Sequence, residues 1–100
     1  MVKATPEEAG CWIDGNWGHY SSARLIHVAN IYGWEAPEAL RLAMQYMAGT
    51  GISGEEVDLM HEFSYEAEEW LNENVAPEGY SFGWSDSEFF LMSNGWWEEL

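Results

Sequence analysis

Beyond Arg41 the sequence contains no lysine and no arginine. Residues 42–100 hold thirteen acidic side chains and no basic one, so they carry -13 of a formal net charge of -15. Lys3, Arg24 and Arg41 are the whole basic complement, set among five carboxylates in the first 41 residues. Nucleic acids and anionic membrane surfaces are bound through Lys and Arg. Their scarcity argues against both as direct partners. Self-repulsion on this scale also works against the compact state. The simplest account of the charge is a solvated surface that maintains solubility. Yet solubility is compatible with charges of both signs interspersed, and here one sign is missing from 59 consecutive residues.

Cysteine is almost absent as well. Cys11 stands alone, which excludes a disulfide framework and a thiolate zinc cluster, and its apolar neighbours with no adjacent cation suggest an inert thiol. No apolar run approaches the ~18 residues needed to span a bilayer. The opening MVKATPEEAG lacks the apolar stretch of a secretory signal, so a cytoplasmic location is the expectation.

What is present is the composition of a folded body. Hydrophobic residues make up 47% and sixteen residues are aromatic, well above an acidic disordered tail. One hundred residues suggest a single domain, 1–100, with 1–10 as a flexible arm, loose or tucked against the body. Cys11 to Asp14 suggest a short strand, with Asp14-Gly15 as its turn. From His19 to Tyr32 the apolar spacing is helical, Leu25, Val28, Ala29 and Tyr32 share a face, and Gly33 occupies the C′ position. Pro37 opens a second helix with Leu40, Ala43, Met44 and Met47 on one side, ending before Gly49. Ser53 and Glu56 form a capping box for a third helix, from about Gly54 to Ala76, before Pro77.

After Gly79 the period becomes two. Tyr80, Phe82 and Trp84 alternate with smaller residues, Ser85-Asp86-Ser87 is a turn, and Glu88 to Met92 returns as a second strand. An even loop pairs Trp84 with Phe89 and Phe82 with Leu91. Asn94-Gly95 offers a further hairpin turn, although only five residues follow it. The expected fold class is α+β: three helices packed on a small antiparallel sheet made of the C-terminal hairpin and the N-terminal strand.

Motifs that name a reaction are missing. GTGISG, residues 49–54, has the G-x-G-x-x-G spacing, but it follows a helix, and Glu55 and Glu56 occupy the place of the phosphates. His61-Glu62-Phe63-Ser64-Tyr65 begins like a zinc-protease helix but has tyrosine in place of the second imidazole. Asp58 and His61 share a face, yet the other helices offer no matching ligand set. No serine lies in a G-x-S-x-G elbow. No catalytic residue, metal site or cofactor is expected. A small metal-dependent enzyme using Asp58, His61 and Glu62 is the least favoured reading.

The sharpest feature is an acidic stripe. Glu55, Asp58, Glu62, Glu66, Glu69 and Glu73 advance by three or four residues along the third helix, on another arc than the core side of Val57, Met60, Phe63, Ala67, Trp70 and Leu71. Eighteen steps cover about 27 Å, one charge per ~5 Å, against ~1.7 Å in duplex DNA with both strands counted. Like charges at i, i+4 oppose the isolated helix by a few tenths of a kcal/mol per pair. Trp96 and Trp97 are adjacent, and in a strand they would point to opposite faces, leaving at least one at the surface. An exposed tryptophan ringed by carboxylates has the makings of an interface anchor.

Two stretches, CWIDGNWGHYSSARLIHVA (11–29) and EEWLNENVAPEGYSFGWSDSEFFL (68–91), resemble a group of small acidic uncharacterised proteins of actinobacteria and their phages or mobile elements. That group carries no established activity; the resemblance implies an accessory protein acting on a host component. In charge and size the chain also resembles the DNA-mimic proteins. The expected function is therefore a non-enzymatic acidic binding protein or inhibitor docking on a basic, nucleic-acid-binding surface of a host protein. Its contacts would be Glu55, Asp58, Glu62, Glu66, Glu69, Glu73, Trp96 and Trp97. The alternative is a self-associating structural protein, a homodimer through its aromatics, whose charge only solubilises it.

Overall fold

The computed structural model describes residues 3–14 and 19–100. After a 3-10 turn at Pro6–Glu8 the elements run β1 (Gly10–Ile13), α1 (His19–Ile31), α2 (Pro37–Met47), α3 (Gly54–Asn74), β2 (Tyr80–Ser85), β3 (Glu88–Ser93) and α4 (Asn94–Glu98). This is an α+β fold, with a three-stranded antiparallel sheet in the order β1-β3-β2. The turn expected at Asp14-Gly15 lies, at Gly15, outside the described residues.

Local chemistry accounts for most boundaries. At the start of α3, Ser53 Oγ accepts from the Glu56 amide at 3.1 Å while Glu56 Oε1 accepts from the Ser53 amide at 3.0 Å. The box satisfies donors that a helix N-terminus leaves bare. Gly33, at φ 117°, ends α1: the Gly33 amide donates to Asn30 O at 3.1 Å and the Trp34 amide to Ala29 O at 2.9 Å. These are the two bonds of a Schellman turn, and its positive φ calls for glycine. β2 and β3 meet in a two-residue loop with Asp86 and Ser87 both at positive φ, the type I′ geometry that matches strand twist. Phe82 pairs with Leu91 and Trp84 with Phe89, the register expected from an even loop.

The core lies between the sheet and the helices. Along α3, Met60, Ser64, Ala67 and Leu71 are buried, flanked by half-buried Val57, Phe63 and Trp70. Ser64 is the polar member of that line, and its hydroxyl is satisfied by the carbonyl of His61 at 2.6 Å. Phe82, Phe89, Leu91 and Ile13 close the core from the sheet side. In β1 the register shifts between Cys11 and Ile13, a bulge at Trp12. The extra residue lets consecutive side chains turn inward: Ile13 is fully buried, and Trp12 packs edge-on to Phe82 at 4.8 Å. Ala4 is buried as well, and its amide donates to Val75 O at 2.9 Å, so the chain ahead of β1 is tied to the end of α3.

Two expectations are corrected. In α2 the buried residues are Ala39, Leu42 and Ala43, whereas Leu40 is half-buried and Met44 is 47% exposed. The buried face is rotated toward Ala39. The second correction concerns the C-terminus. Asn94-Gly95 opens a helix, because the Ser93 hydroxyl caps it by accepting from the Trp96 amide at 3.2 Å. Trp96 and Trp97 are consequently helical neighbours, and both are half-buried.

Candidate functional site: the carboxylate face of α3

Glu55, Asp58, Glu62, Glu66, Glu69 and Glu73 are all exposed. The helix that carries them is held by its opposite face, through the buried Met60, Ala67 and Leu71, and by contacts at its C-terminal half with β2. Among the described residues, Arg24 faces Asp14 at 4.0 Å and Arg41 lies 3.6 Å from Glu38 and 4.0 Å from Glu56. None of these ion pairs reaches the stripe. Two further α3 carboxylates are set apart from it. Glu56 serves the cap, and the Ser53 backbone amide, aided by the Ser53 hydroxyl and Arg41, holds its carboxyl below the usual range. Glu68 lies on the sheet side, where burial pushes its carboxyl up while the Trp84 indole N–H partly opposes that shift.

The C-terminal half of the stripe is also one wall of a groove. Glu66, Glu69, Trp70 and Glu73 follow one another at i, i+3, i+4 and i+7, hence on a single helical face. Trp34 reaches them from the α1–α2 connection, placed there by the Schellman turn at Gly33. These five residues line an open groove of about 260 Å³. Both tryptophans are half-buried, rest against the core, and make no ring contact with each other. The helical spacing places Trp70 with the core, and no sequence pattern singles out Trp34. What the sequence does show is position: Trp70 lies four residues after Glu66 and three before Glu73, and Trp34 immediately follows a C′ glycine.

Trp96 and Trp97 are not part of this face. Phe82 and Phe89 point toward the helices, so Gly83 and Phe90 point away from them. It is on this outer side that α4 lies. The Trp97 ring covers Gly83 and its Nε1 donates to Ser81 O at 2.9 Å, and Trp96 lies 5.6 Å from Phe90. The structure thus brings the six carboxylates together and leaves the two C-terminal tryptophans across the sheet from them.

His61 is engaged within the fold. Its Nδ1 lies 3.0 Å from Ser22 Oγ and its Nε2 3.1 Å from Tyr65 Oη, which occupies both ring nitrogens. Among the described residues no three His, Cys, Asp or Glu side chains gather as a metal site. Cys11 faces Glu88 Oε2 at 3.7 Å; burial, then the Glu88 charge and hydrogen bond, push the thiol up. No described helix is long and apolar enough to cross a membrane. The chain matches no protein-family model, no curated protein sequence and no solved structure.

Proposed function

We propose that this protein is a non-enzymatic binding protein that docks the carboxylate face of α3 on the basic, nucleic-acid-binding surface of a partner protein. The observation that supports this reading is the row of six exposed carboxylates on one helix, reached by no cation among the described residues. Such a row creates a directional field, accelerates encounter with a positive surface and repels nucleic acid. Its charge spacing is sparser than that of a phosphate backbone, so the surface competes for a basic site without copying DNA charge for charge. The likeness to phage and mobile-element proteins makes a host component the natural partner.

The experiment is affinity capture from host lysate with the wild-type chain and a Glu62→Lys/Glu66→Lys/Glu69→Lys variant. Capture of a nucleic-acid-handling protein, lost in the variant and declining steeply with salt, is the expected result. Capture indifferent to salt and to the charge reversal would remove the electrostatic basis of the proposal.

A second reading, self-association, is favoured by one observation elsewhere. His27, Asn30, Ile31, Leu40 and Met44 line a groove of about 220 Å³ between α1 and α2, with Ile31 67% exposed. A homodimer through this patch would show as doubled mass in light scattering, strengthened by salt that screens the like charges.

A further inference from the structure

We infer that the groove between Trp34 and α3 is a seat for one arginine side chain of the partner protein. The inference rests on the proposed docking function and assigns its specificity to five residues. Glu66, Glu69 and Glu73 present three carboxylates at the groove and, among the described residues, make no ion pair or side-chain hydrogen bond. Their mutual repulsion along one helical face is relieved by a cation placed between them. Trp34 and Trp70 both line the groove and supply it with two indoles. The groove, about 260 Å³ and open to solvent, admits a guanidinium from outside.

The chemistry of the lining selects among cations. A guanidinium is flat, stacks on an indole face, and directs several N–H donors in its own plane toward carboxylates at the rim. An ammonium is compact and strongly hydrated, and loses more when pressed against aromatic walls. The groove combines two indoles with three carboxylates, a set that suits a guanidinium. The rest of the stripe, Glu55, Asp58 and Glu62, lies outside it and supplies field without selectivity.

Calorimetric titration with two capped octapeptides, one alternating arginine and glycine and the other lysine and glycine, tests this at low salt. The wild-type chain should prefer the arginine peptide by about fivefold or more, and Trp34→Leu should abolish most of that preference. Glu69→Gln should weaken arginine-peptide binding more than Glu55→Gln, which removes the same charge outside the groove. Trp34→Phe, which keeps a ring, should retain part of the preference, and circular dichroism of each variant confirms the fold. Equal affinity for the two peptides, with equal losses from Glu69→Gln and Glu55→Gln, would overturn the arginine seat while leaving the acidic docking face intact. Absence of binding by either peptide would overturn both.

Discussion

The side-chain amide of Asn72 on α3 forms two hydrogen bonds with the backbone of Phe82 on β2. The Phe82 amide donates to Asn72 Oδ1 at 2.6 Å, and Asn72 Nδ2 donates to Phe82 O at 3.1 Å. β2 is an edge of the sheet, and the carboxamide takes the place of the strand that is missing beside it. One helical turn earlier, Glu68 accepts from Trp84, two residues further along β2. Four helical residues rise about 6 Å and two strand residues about 6.8 Å, so helix and strand stay in step. The helix that displays the carboxylates is thereby clamped along the sheet edge.

Replacing Asn72 by Ala should therefore reach beyond one surface residue. Two backbone bonds are lost and the β2 edge is bared, at a cost of about 1–2 kcal/mol. For a domain of this size, that is a fall in Tm of roughly 4–16 °C. Thermal unfolding followed by circular dichroism measures it; an unchanged Tm would show that the clamp contributes nothing.

Gly83 is needed where it stands because of Trp97. A Cβ there would lie 3.0 Å from Trp97 Cη2 and 3.1 Å from Cζ2. Gly83→Ala should displace α4, destabilise the chain by about 1–3 kcal/mol, and shift tryptophan emission to longer wavelength. Trp97→Phe should recover part of the loss when combined with it, giving a non-additive double-mutant cycle. Additive effects would mean that the two residues do not meet.

The β2–β3 loop can be improved. Asp86 and Ser87 both adopt positive φ, at 50° and 67°, and serine lacks the freedom of glycine in that region. Ser87→Gly creates the Asp-Gly pair that type I′ turns favour. We expect a gain of about 0.5–1 kcal/mol, seen as a higher midpoint in urea with an unchanged slope. A lowered midpoint would contradict the turn geometry.

The buried side of α3 carries a pH dependence of its own. Burial raises the Glu68 carboxyl above its ordinary value of 4.5, so the folded chain binds this proton more tightly than the unfolded one. The resulting penalty is fully present above the folded pKa and disappears below 4.5. Glu68→Gln, which can still accept from Trp84, should raise Tm at pH 7, with the difference shrinking as pH falls toward 4.5. A difference constant across this range would exclude Glu68 as its source. Glu56 acts in the opposite sense. Its lowered carboxyl contributes stability above 4.5 that is lost as pH falls through its folded value.

Much of this protein is determined by the sequence alone. The helices at His19, Pro37 and Gly54 begin and end near their expected positions because caps, proline and glycine act through neighbouring residues. The pairing of Phe82 with Leu91 follows from loop parity, and the acidic face of α3 from spacings of three and four. The tertiary structure decided what depends on residues distant in sequence. Packing of α2 against α1 and α3 turned its buried face toward Ala39. Ser93, together with the room above Gly83, made a helix of the C-terminus and carried Trp96 and Trp97 to the outer side of the sheet. The same long-range packing brought Trp34 beside Glu66, Glu69, Trp70 and Glu73 across more than thirty residues of chain. Periodicity reports which face of an element is apolar. Only the meeting of two elements determines what that face touches and which polar residues share a groove.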